Sequence, residues 1–153
     1  AVAMLLSYFV GQKKYPIAQN AVQLQQGTVM DLYPTILSVA HVKPPKHYAL
    51  DGADLKKLFQ GKEDKKHRDD FLMHFPHGEH RANYFTTYRK GDWKLIYYYH
   101  PETTGVPTWK LYNLKDDPYE KKEVSAEYPE KTASMIKQMK DRLKEENALY
   151  PEE

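Results

Sequence analysis

The chain has no cysteine among its 153 residues. Disulfides, thiol nucleophiles and cysteine-ligated zinc are therefore excluded, while either redox compartment stays compatible with it. No apolar run approaches the roughly 20 residues that span a bilayer. Gly-rich phosphate loops, a dinucleotide fingerprint and a Ser-His-Asp signature are all missing. Charge of one sign is also scarce. Lys and Arg total 23 against 21 Asp and Glu, a net charge of +2 with the signs interspersed, which supports neither nucleic-acid nor membrane-surface binding. Three successive tyrosines at 97–99 do not change that, because a base-stacking platform needs a basic face.

What is present is aromatic. Hydrophobic residues make up 41% and aromatic residues 13%, with 13 tyrosines, the composition of a folded, Tyr-rich sheet rather than a disordered chain. The densest stretch, residues 84–99, reads as two strands meeting at Gly91-Asp92, with glycine supplying the positive φ that a primed hairpin turn needs at its first central position. Residues 71–75 form a strand before this hairpin and residues 108–114 one after it. Together they predict a four-stranded antiparallel meander. Pro129 then opens a helix at the position where its missing amide costs nothing, and Met135 or Ile136, Met139 and Leu143 lay one apolar stripe along it. A sheet with one bare face needs such a cover.

Two short helices are predicted upstream. Asp31 caps the first, with Pro34 in its first turn and Leu32, Ile36, Val39 and Ala40 sharing a face, and HVKPPKH ends it. The second runs from Ala53 or Asp54 to Gln60, burying Leu55, Leu58 and Phe59, and stops at Gly61. Residues 21–24 read as a short strand, and the charge run KEDKKHRDD at 62–70 as a solvated connector. Residues 4–10, apolar and stopped by Gly11, read as a buried strand rather than a signal-peptide core, since no basic leader precedes them. A chain that starts directly in such a strand, without Met, is read as a piece of a longer one. Its exposed apolar surface would then be a route to a homodimer.

The stretch HFPHGEHR is where composition asks for a chemical explanation. Pro76 and Gly78 exclude a helix, and no second ligand pair stands at zinc spacing, so no metal site is assigned. His74, His77, His80 and Arg81 are instead candidates for contact with an anion or sugar, because imidazole and guanidinium groups donate to sulfate and carboxylate oxygens. A plain solvent-facing loop is the competing reading. His100 and Glu102, in the next long loop, are weaker candidates. Asp69-Asp70 and Asp116-Asp117 belong to a connector and a turn, since adjacent acids alone cannot supply the six to eight oxygens that calcium takes.

The blocks RKGDWKLIYYY and WKLYNLKDDPYEKKEV, through Arg89, Gly91, Trp93 to Ile96, Leu111 to Leu114, Asp117, Pro118 and Glu120, resemble the carboxy-terminal subdomain of type I sulfatases, within the alkaline phosphatase superfamily. DLYPTIL at 31–37 and LDGADLKKLFQGK at 50–62 resemble two further elements of that family. The resemblance covers about residues 20–150. It implies an α+β unit with a four-stranded antiparallel sheet, a packed C-terminal helix and two preceding short helices. Residues 1–62 would be the tail end of the catalytic domain with its connecting helices, and 63–153 the C-terminal subdomain. The implied reaction is sulfuric ester hydrolysis by a formylglycine beside calcium or magnesium, the metal acting as a Lewis acid. No Cys is present, and none of Ser7, Ser38, Ser125 and Ser134 opens the formylglycine motif. No catalytic residue is therefore assigned here, and nucleophile and metal ligands are expected outside this sequence, in an N-terminal catalytic domain. The family loop after the first C-terminal strand approaches the pocket rim, which implies substrate contact for His74, His77, His80 and Arg81, with a sulfated small molecule or glycan as ligand. It also implies a periplasmic or secreted location. Two other readings stay open: a stand-alone, non-catalytic module binding sulfated or acidic glycans, and a phosphatase or phosphodiesterase of the same superfamily.

Overall fold

A computed structural model describes residues 17–44, 46–76, 84–100, 105 and 107–150. The strand expected at 4–10, and the dimer edge it would offer, lie outside the described residues. The chain divides into two compact units, Ala1–Asp69 and Asp70–Glu153.

In the first unit a single 3-10 turn, Val29–Asp31, leads into helix α1, Leu32–Val39, and a short helix α2 follows at Lys56–Phe59. Asp31 does not cap α1 with its carboxylate. It is 0% exposed, and one oxygen accepts the backbone N–H and hydroxyl of Thr28 at 2.6 and 3.0 Å. The other accepts the Ala53 N–H at 2.8 Å and pairs with the Arg68 guanidinium. One turn on, Thr35 donates its hydroxyl to the Asp31 carbonyl and accepts the Leu55 N–H at 2.9 Å. The face predicted for α1 is thus corrected. Thr35 is its buried residue, and Ile36 stands 62% exposed. Residues 53 and 55 give their amides to side chains of the first helix region, and α2 starts at Lys56. It closes as foreseen at Gly61, φ +71, with Gly61 N–H on the Leu58 carbonyl and Lys62 N–H on the Lys57 carbonyl, a Schellman ending.

Two further expectations change here. Residues 21–24 form no strand; the side-chain amide of Gln25 instead bonds both backbone groups of Asp64 at 2.7 and 2.9 Å, standing in for a ladder. Nor is the charge run merely solvated. Arg68 holds Asp31, and His67 Nε2 donates to the Gln26 carbonyl. A buried carboxylate has to find donors, and this run supplies one.

The second unit is the predicted meander. Strands β1 (Asp70–Phe75), β2 (Phe85–Lys90), β3 (Trp93–Tyr98) and β4 (Trp109–Asn113) lie side by side in that order, all antiparallel. Gly91 has φ +56 and Asp92 does not share the sign, the pattern of a type II′ turn. Leu72, Tyr88, Leu95 and Leu111 face one another across the four strands. Helix α3, Pro129–Glu145, lays Thr132, Met135, Met139 and Leu143 along this unit's core. The outer edge of β4 is covered too. Val124 N–H donates to the Leu111 carbonyl at 2.9 Å, and Leu111 N–H donates to the Glu123 carboxylate at 3.0 Å, which blunts an edge that would otherwise recruit another strand.

The two glycines at tight places predict different costs. At Gly91 an added Cβ meets nothing within 4 Å, so Gly91→Ala should cost only the strain of a side chain at positive φ, about 1–3 kcal/mol. At Gly52 a Cβ would collide with the Met30 carbonyl, so Gly52→Ala should cost more, as read by denaturant midpoints. Equal midpoints would contradict this packing. For Asp31, burial pushes the carboxyl up, but the Ala53 and Thr28 donors and the Arg68 charge outweigh it and hold it below the usual value. Its stabilising effect is then complete above about pH 4 and is lost as pH falls through the folded-state value. Asp31→Asn should remove that acid dependence and cost about 3 kcal/mol at neutral pH, because it leaves Arg68 without its charge partner. Acid titration of wild type and variant by circular dichroism measures both.

Candidate functional site

A meander puts alternate connections at opposite ends of its sheet. One end here carries only the 91–92 turn between its two central strands, and the other carries both long connections, 76–84 and 99–108. The side chains at this second end follow from the strand register. His74, Thr86 and Tyr97 form the next same-face row beyond Leu72, Tyr88 and Leu95. Thr86 is 0% exposed. Its hydroxyl lies 2.7 Å from His74 Nδ1 and 2.6 Å from the Tyr99 hydroxyl. The other ring nitrogen of His74, Nε2, stands 2.6 Å from the Leu149 carbonyl. Tyr150 sets its ring edge-on to both His74 and Tyr99, at 6.1 and 5.8 Å between centroids. On the opposite face Phe75 stacks on Phe85 at 5.6 Å. His100 packs edge-on against Tyr84 at 5.2 Å.

Of the residues read from the sequence as substrate contacts, His74 is therefore placed with both ring nitrogens engaged within the chain. His77, His80 and Arg81 lie outside the described residues, as does Glu102. Thr86, Tyr99 and Tyr150 were not singled out as site residues, because a hydroxyl inside a strand and a tyrosine in an aromatic run carry no local signal; only the register brings them to His74. The paired acids do structural work. Asp70 accepts the Tyr88 hydroxyl at 3.3 Å, and Asp117 accepts the Lys122 N–H at 2.8 Å to hold a turn. Lys94 reaches both oxygens of Glu120 at 2.7 Å, tying the GDWKLI block to the DDPYE block. In the first unit an open recess of about 460 Å³, lined by Tyr33, Tyr48 and Asp51 among others, contains none of the candidate residues.

A family model described as N-sulphoglucosamine sulphohydrolase, C-terminal, matches residues 5–148. The chain belongs to that sulfatase C-terminal family. Among curated relatives it is 36% identical over 75 residues to a pig (Sus scrofa) N-acetylgalactosamine-6-sulfatase, covering 46% of this chain and 14% of that protein. It is 32% identical over 115 residues to an uncharacterized sulfatase of Schizosaccharomyces pombe, covering 67% of this chain and 18% of that one. Among solved structures, one in complex with its substrate D-glucosamine-2-N,6-O-disulfate aligns with TM-score 0.58 and 28% identity over 74% of this chain and 23% of its own. A 2-O GAG sulfatase aligns with TM-score 0.59 at 22% identity over 75% and 24%, which shows the shared fold. The chain thus spans between about a seventh and a quarter of the length of these relatives. The family implies a divalent metal and a formylglycine. Among the described residues no three His, Cys, Asp or Glu side chains converge to hold a metal, and the chain contains neither a cysteine nor a serine in the formylglycine motif. The donor set of the described residues does not fit either group.

Burial pushes the Tyr99 phenol up to about 12, with the Thr86 hydroxyl opposing and Tyr150 and Tyr97 adding to the rise. A phenol whose value is raised on folding contributes stability below its unfolded value near 10 and loses it between there and about 12. Tyr99→Phe should therefore flatten the alkaline loss of stability over that window, measured by chemical denaturation at stepped pH. An unchanged alkaline slope would show that the phenol is not buried as described.

Proposed function

We propose that this chain supplies a pocket wall and a substrate-selecting loop to a sulfuric ester hydrolase whose nucleophile and metal ligands belong to an N-terminal catalytic domain. The observation that carries the reading is the pairing of a sulfatase C-terminal match over residues 5–148 with a sequence that lacks the formylglycine motif. Residues 1–62 would complete the catalytic domain, and residues 63–153 would form the wall. The loop end of the sheet supports this assignment, because both long connections leave from it and one carries the His-rich segment. His77, His80 and Arg81 would donate to sulfate or carboxylate oxygens of the sugar other than those of the ester being cleaved, Arg81 in bidentate fashion. His100 and Glu102 would stand on the neighbouring connection. His74, with both ring nitrogens bonded within the chain, would anchor the segment. The ligand class is a sulfated sugar, by analogy with the amino-sugar sulfates named for two of the relatives.

The chain alone should then hydrolyse no sulfate ester. In the complete enzyme Arg81→Ala should raise KM for a sulfated oligosaccharide about tenfold, the loss of one charge-assisted contact of roughly 1.4 kcal/mol, and leave hydrolysis of a small aryl sulfate near wild type. Turnover by the isolated chain would overturn the assignment of the nucleophile. An unchanged KM for the oligosaccharide would overturn the assignment of the loop.

A further inference from the structure

With the His74 ring uncharged, the hydrogen bonds around it run in one direction. A carbonyl only accepts, so the His74 Nε2 facing the Leu149 oxygen at 2.6 Å carries a proton. In the uncharged ring Nδ1 then only accepts, which makes the Thr86 hydroxyl its donor at 2.7 Å. Having given its proton to His74, Thr86 must accept from the Tyr99 hydroxyl at 2.6 Å. One chain of donors thus runs from Tyr99 through Thr86 and His74 to the backbone beyond helix α3.

That backbone is otherwise weakly held. Ala148 packs on the core and its N–H donates to the Leu143 carbonyl at 2.9 Å, but the Leu149 side chain is 82% exposed. Apolar burial therefore does not fix the segment. Its carbonyl on His74 and the Tyr150 ring against His74 and Tyr99 do. An exposed segment beyond a helix end is held in place only where something ties it down. What ties it here sits directly before Phe75 and Pro76, the root of the 76–84 connection, where Phe75 and Phe85 make the last strand pair.

We propose that Leu149 and Tyr150 form a strap, held through His74, that positions the root of the 76–84 connection, so that His74 is a positioning residue rather than a substrate contact. This deepens the reading above and rests on it for the role given to the connection. The strap itself is tested without substrate, so its failure and the failure of the sulfatase assignment are distinguishable.

The test is nuclear magnetic relaxation on the full chain, on His74→Phe and on a chain truncated after Ala148. Backbone order parameters at Leu149 and Tyr150 should be near the rigid value of about 0.85 in the full chain and fall below about 0.6 in His74→Phe. Truncation should lower the order parameters of Phe75 and Phe85, leave those of Tyr88 and Leu95 unchanged, and release His74 from its fixed Nε2–H tautomer, read from its ring nitrogen shifts. A loose Tyr150 in the full chain, or a truncated chain whose Phe75, Phe85 and His74 signals do not move, would overturn the strap. If His74→Phe does not fold, the truncated chain decides.

Discussion

The register of four strands is the constraint on which the second unit depends. Leu72, Tyr88, Leu95 and Leu111 share one face, and the α3 residues Met135, Met139 and Leu143 join them in one core. Side chains alternate with a period of two, so a slip of one residue would turn that row to the other face. The same register fixes the loop end. Once Leu72 is opposite Tyr88, His74 is opposite Thr86 two residues on, and Thr86 is opposite Tyr97. The donor chain at the site is thus a consequence of core packing, not a separate invention. The II′ turn at Gly91-Asp92 and the Glu123 contact on β4 protect the register at its centre and at its edge.

The first unit is organised by a polar centre instead. Asp31 and Thr35, one helical turn apart, each accept an amide from the 53–55 segment, and Gly52 permits that segment to lie against Met30. This explains why DLYPT and LDGADL appear as two blocks in one sequence. They are two sides of a single buried hydrogen-bonded contact, and Arg68 neutralises the carboxylate at its centre. Removing one member would leave the others buried without partners, which costs more than the contact gains when complete.

The meander, the hairpin turn, the α3 start at Pro129 and its Met135–Met139–Leu143 stripe were legible because each is set by local chemistry: alternation, a glycine at positive φ, a proline at a helix start. The misreadings share a cause. Asp31 looked like a helix cap and Arg68 like part of a solvated run, since nothing local says that two charges 37 residues apart meet in the interior. Ile36 looked like core, yet Thr35 is buried because its hydroxyl is needed by Leu55. His74 was legible as unusual but not as bonded, because its partners Thr86, Tyr99 and Leu149 come from two other strand regions and from the end of the chain.

These features describe a sulfatase C-terminal unit, for which we propose that the chemistry is supplied from elsewhere. We propose that an N-terminal catalytic domain precedes it, and the coding sequence upstream of the Ala1 codon is the first thing to read. An open frame carrying a Cys- or Ser-type formylglycine motif and a cluster of acidic metal ligands is the expected result. A frame that closes within a few codons, or one that continues without that motif, would contradict it.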